Sequence, residues 1–120
     1  MPASFPAIVT ATVGVLATAS AGFAVDLSLS VDGMPAKYLA DDYTCADGRA
    51  FTVTYVNADP VFLAILPTTD DQELVFVRSL SGSGSRYVAN GFEWWIKGGE
   101  ATLTNRMGDP DTPGIVCTTP

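Results

Sequence analysis

Beyond residue 50 the chain alternates short apolar runs with clusters of turn formers. Apolar and polar residues interleave in "FTVTYV" (51–56), "VFLAIL" (61–66) is continuously apolar, and "ELVFV" (73–77) is apolar again. Shorter segments follow: "RYV" (86–88), the partly alternating "FEWWIK" (92–97), the alternating "ATLT" (101–104) and "GIVC" (114–117). Between them lie Asn57-Ala58-Asp59-Pro60, Pro67-Thr68-Thr69-Asp70-Asp71, Ser81-Gly82-Ser83-Gly84, Asn90-Gly91, Gly98-Gly99 and Asp109-Pro110-Asp111. Closely spaced strands rich in β-branched and aromatic residues, with no sustained helical period, predict an antiparallel meander.

Two junctions are tight enough to set hairpins. Asn90-Gly91 can supply positive φ at both central positions of a type I′ turn, and Gly98-Gly99 can do the same, so strands at 86–89, 92–97 and 100–104 are expected to be consecutive. A sheet of this many strands in one small domain buries a face on itself, as a closed barrel or as a sandwich. The expected fold is all-β, a small antiparallel β-barrel of about eight strands. Residues 25–42, "VDLSLSVDGMPAKYLADD", hold one weakly alternating strand and a loop and are read as an N-terminal extension before a domain at 43–120.

The first 24 residues change the setting of this domain. They carry no charged side chain, and an apolar run from Ala7 to Leu16 precedes a small-residue stretch ending at Ala24. That layout is expected to be a secretory signal peptide cleaved after Ala24, which places the mature chain in the periplasm or outside the cell. A membrane-anchoring helix is the competing reading, disfavoured by the shortness of the run. No cysteine stands at the cleavage point for lipid attachment, and no later segment is long and apolar enough to span a bilayer.

Export makes the two cysteines informative. Cys45 and Cys117 permit a single intramolecular pairing, and one disulfide is expected to staple the barrel. Closing a loop of about 70 residues constrains the unfolded chain by ~4 kcal/mol in the entropy model. Metal binding is the weaker reading, because the chain has no histidine and no further cysteine. In an unexported chain both thiols would stay reduced.

Charge and residue chemistry narrow the function further. All 13 acidic and six basic residues follow Ala24, a formal net charge of −7. Nucleic acid and anionic lipid would be repelled, while a basic partner would be steered inward; plain solubility is the simpler use of such acidity. Without histidine the usual base for a serine or cysteine nucleophile is missing. A Ser83/Lys97 dyad would need a neutral, desolvated lysine, which a glycine-rich loop does not provide. Asp41-Asp42, Asp70-Asp71 and Asp109/Asp111 lie in turn-like segments and read as solvated acids or a weak calcium site. "GSGS" lacks the spacing of a nucleotide-binding loop. No enzyme and no cofactor are expected.

Residues 81–101, "SGSGSRYVANGFEWWIKGGEA", resemble two linked signatures of the bacterial inhibitors of c-type lysozyme, the MliC/PliC family. S-G-S-G-x-x-Y is matched by Ser81 to Tyr87. A tyrosine, six residues and an aromatic-W-x-K-G run are matched by Tyr87 and by Trp94-Trp95-Ile96-Lys97-Gly98. "YTCADGRAFTVTY" (43–55) is similar to the family's opening strand and hairpin, and Cys117 stands where its closing cysteine falls. Gly99 departs from the family, which often has an acidic residue there, and the missing lipoprotein cysteine favours its soluble periplasmic branch.

The resemblance implies an eight-stranded barrel that blocks a c-type lysozyme, a basic protein, and so protects cell-wall peptidoglycan. Such an enzyme works with one protonated and one ionised carboxyl group in a cleft. Ser83 and Lys97 are the residues the family assigns to those two groups, a hydroxyl for the acid and an ammonium for the carboxylate. Gly82 and Gly84 would slim the loop for entry, Tyr87 would brace it, and the tryptophans would anchor the strand beneath. Read without the resemblance, Ser83 is an ordinary turn serine, Lys97 a solvated strand-end lysine and Tyr87 sheet packing. Trp94 and Trp95 point to opposite faces of their strand, so only one can meet a partner. A non-enzymatic envelope or small-ligand-binding barrel is the alternative function.

Overall fold

A computed structural model describes Val25 and residues 27–120; the expected signal peptide lies outside the described residues. Ten strands follow in order: β1 (Ser30–Val31), β2 (Met34–Pro35), β3 (Lys37–Cys45), β4 (Ala50–Ala58), β5 (Val61–Pro67), β6 (Glu73–Ser79), β7 (Ser85–Ala89), β8 (Phe92–Lys97), β9 (Glu100–Asn105) and β10 (Ile115–Thr118). β1 and β2 form a two-stranded sheet of their own, and β3 to β10 close an eight-stranded barrel in sequence order. Every neighbouring pair in the barrel is antiparallel. The expected meander and its closure are both present.

Strand alternation sorts the side chains. Tyr43, Val53, Tyr55, Ala64, Leu66, Phe76, Tyr87, Trp94, Ala101 and Leu103 fill the barrel interior as one cluster. Burying each large apolar side chain contributes roughly 1.5–3 kcal/mol. Intervening residues in the second half of β4 and in β5 are apolar as well: Val56, Ala58, Leu63 and Ile65 form a second cluster on the outer face. Val25, Leu27, Leu29 and Val31 pack on it, so the continuous run at 61–66 is covered on both sides. Tyr38 fastens this N-terminal strap, accepting from the Leu29 amide and donating to the Leu27 carbonyl, each at 3.1 Å.

The first strand of the barrel begins before residue 43. β3 starts at Lys37 and pairs with β4 from Lys37↔Asn57 to Thr44↔Ala50, so the last third of residues 25–42 is barrel strand. Asp41 and Asp42 consequently sit in a strand and not in a turn.

The barrel closes where β3 meets β10, through only Cys117↔Cys45 and Thr118↔Thr44. A disulfide joins Cys45 and Cys117 across this seam. Of the two expected type I′ turns one is realised: Asn90 and Gly91 both have positive φ, 44° and 83°. At the other, Gly98 alone is positive (64°), so that hairpin turns without the type I′ backbone.

Candidate partner-binding site

Antiparallel order sends alternate connections to opposite ends of the barrel. The β4–β5 turn, the loop 80–84 between β6 and β7, and the β8–β9 turn at Gly98-Gly99 share one end. Ser83 and Lys97 thus come to the same end, one from the loop and one from the last position of β8.

One side chain links them. Trp95 lies on the outer face of β8, where its indole Nε1 donates to the Ser83 carbonyl at 3.0 Å. The Lys97 ammonium stands 5.7 Å from the centre of the same ring, within cation–π range. The Ser81 hydroxyl donates to that Ser83 carbonyl as well. With its carbonyl held from two sides, Ser83 keeps its own hydroxyl unpartnered among the described residues, and the loop 81–84 is exposed throughout. Lys97 is exposed and makes no ion pair among the described residues.

The two loop glycines separate physically. Gly84 has φ +67°, and a Cβ there would stand 2.3 Å from the Ile96 carbonyl oxygen and 3.0 Å from the Trp95 indole nitrogen. Glycine is needed at 84 for the loop to touch β8 at all. A Cβ at Gly82 would meet nothing within 4 Å.

Tyr87 points the other way. It is 5% exposed, belongs to the interior cluster and packs on Tyr55 with ring centres 5.8 Å apart. The loop's brace is Trp95. Strand alternation had marked one of the two tryptophans as external, but nothing in the sequence says that its indole reaches back to Ser83. Trp94 is fully buried and donates to the Tyr55 hydroxyl at 3.0 Å, which shares a 2.9 Å hydrogen bond with Tyr43. Burial pushes the phenols of Tyr43, Tyr55 and Tyr87 above the ordinary tyrosine range.

These tyrosines floor a depression of about 530 Å³ at the barrel mouth, walled by Asp41, Ile96 and Gly99. It lies directly beside Lys97, across the β8–β9 turn. Farther along the outer face, Glu93 is 5% exposed and receives Arg86 at 2.6 Å and Arg106 at 2.9 Å. Burial alone would raise its carboxyl, but the two guanidinium bonds outweigh that and hold it below the ordinary value.

Comparison with known proteins bears on the family and the fold. The family model "Membrane-bound lysozyme-inhibitor of c-type lysozyme" (MliC) matches residues 43–112. A relative from Pseudomonas aeruginosa, named membrane-bound lysozyme inhibitor of C-type lysozyme, is 45% identical over 78 residues, 63% of this chain and 61% of that protein. One of the same name from Cupriavidus necator is 37% identical over 65 residues, 54% of this chain and 51% of that protein. The chain thus spans less than two thirds of the curated relatives it matches. A crystal structure of Pseudomonas aeruginosa MliC in complex with hen egg white lysozyme superposes with a TM-score of 0.66 at 36% identity, covering 81% of this chain and 96% of that one. With the matched region spanning more than half of its length, this chain belongs to the MliC family.

Proposed function

We propose that this chain inhibits a c-type lysozyme by seating the Ser83 loop and the Lys97 hairpin together in the enzyme's cleft. The observation that carries the reading is the Trp95 contact, which gathers both residues on one exposed edge while leaving, among the described residues, the serine hydroxyl without a hydrogen-bond partner and the lysine ammonium without an ion pair. Both groups have the chemistry the cleft demands. A carboxyl group buried by a plug is costly unless hydrogen-bonded or paired. A hydroxyl satisfies the protonated acid, and a compact ammonium neutralises the carboxylate.

The relatives support the target: two carry the inhibitor name, and the structural neighbour was crystallised with hen egg white lysozyme. A net charge of −7 favours encounter with a basic enzyme. Residues 1–24 are read as an export signal, putting the inhibitor in the periplasm or outside the cell, where such an enzyme would attack peptidoglycan.

A lysis assay with c-type lysozyme tests the reading directly. The wild-type domain is expected to inhibit; Lys97→Ala is expected to lose about tenfold or more, since truncating one partner of a buried charge pair costs ~2 kcal/mol or above, and Ser83→Ala about tenfold, since a buried acid left without its hydrogen bond costs ~1–3 kcal/mol. No inhibition at micromolar excess would sink the function; undiminished inhibition by both variants would sink the site.

A further inference from the structure

We propose that the barrel mouth is a second contact with the same partner, a receptor for one of its basic side chains between the Asp41 carboxylate and the Tyr87 hydroxyl. The proposal rests on the lysozyme-inhibitor reading for the identity of the partner, but the receptor itself is argued from the cavity.

Tyr87 is the first clue. It is 95% buried, yet its hydroxyl has no hydrogen-bond partner among the described residues, whereas the Tyr43 and Tyr55 hydroxyls bond each other. No side-chain polar atom closed off from solvent lacks a partner among the described residues. The Tyr87 hydroxyl, lining the depression, is therefore open to it. Asp41 is the second clue. Its neighbour Asp42 is occupied, accepting from the Thr52 hydroxyl across the β3–β4 ladder. Asp41 shares the inward parity of Tyr43, lines the depression, and has no ion pair among the described residues.

Shape and position complete the case. A depression of about 530 Å³ admits a long side chain. Its lining of Tyr43, Tyr55 and Ile96 suits an aliphatic stem and a cation over aromatic rings. An unneutralised carboxylate disfavours an anionic guest. Gly98 and Gly99 separate the mouth from Lys97, so a protein seated on the Ser83/Lys97 edge also covers the mouth.

The test uses the lysis assay at low and raised salt with three variants whose melting temperatures are checked against wild type. Asp41→Asn is expected to weaken inhibition about tenfold and to flatten its salt dependence, as loss of a charged contact does. Tyr87→Phe should weaken it about threefold, as loss of one hydrogen bond does. Asp70→Asn, the same charge change at the opposite end, should stay within about twofold, the range of a distant surface charge. Equal effects of Asp41→Asn and Asp70→Asn, or none from either, would overturn the receptor. If wild type does not inhibit at all, the functional reading fails separately. The receptor then stands or falls on whether N-acetyl-arginine amide gives saturable NMR shifts around Asp41 and Gly99 that Asp41→Asn abolishes.

Discussion

At the scale of single residues, Gly82 and Gly84 look alike in sequence and differ in cause. Both fit a slim loop, and the serine-glycine repeat says no more than that. The backbone adds that residue 84 must hold positive φ against the Ile96 carbonyl, while residue 82 faces open space. Gly84→Ala should therefore destabilise the fold by about 1–3 kcal/mol, because a left-handed position and a close backbone contact are both lost. Gly82→Ala should leave the melting temperature unchanged, so any inhibition it loses reports the partner's surface and nothing internal. Thermal melts run beside the lysis assay distinguish the two. That Ser83 and Lys97 reach the same end of the barrel was legible in the sequence, because the turn residues between them set the strand order. Trp95 as their connector was not, since a hydrogen bond from an indole to a carbonyl twelve residues away depends on how a loop folds back.

Elements tell a similar story about local and distant information. Hairpins β7–β8 and β8–β9 were legible because their turns are written into adjacent residues. Residues 25–42 resisted placement because β1 and β2 are two residues each, and the first part of β3 is exposed in an uninterrupted run. What holds that region is an outer apolar face on β4 and β5, invisible until those strands are laid side by side. The β3–β10 seam was legible only through its cysteines. With two residue pairs holding it, against eight between β3 and β4, the seam depends on the disulfide more than any other pairing does. Cys45→Ala with Cys117→Ala is expected to cost about 4 kcal/mol, the loop-entropy value for a separation of 72 residues, measured by denaturant unfolding. Glu93 ties β7 and β8 to the loop after β9 through Arg86 and Arg106. Its folded pKa lies below the unfolded value near 4.5, so its stabilisation is complete above that pH and fades as pH falls through the folded pKa. Unfolding midpoints measured from pH 6 down to 2 should fall less steeply for Glu93→Gln than for wild type.

For the whole molecule, the sequence order of the barrel strands explains why so much was readable. Each strand meets the next, so hairpin reasoning carries from β3 to β10, and only the closure needs information from afar. The charge of −7 acts at this scale too. Raising ionic strength from about 0.01 to 0.15 M shortens the Debye length from ~30 to ~8 Å and should slow association with a basic lysozyme while changing dissociation little. Stopped-flow or surface-based rates at several salt concentrations would show whether the on-rate carries the dependence. The two tryptophans offer a final consequence. One is sealed in the barrel and the other is half-exposed at the proposed contact, so the molecule carries an internal reference beside a reporter. A chain grown with 5-fluorotryptophan should give two fluorine resonances; adding unlabelled lysozyme should move the Trp95 signal and leave that of Trp94 in place.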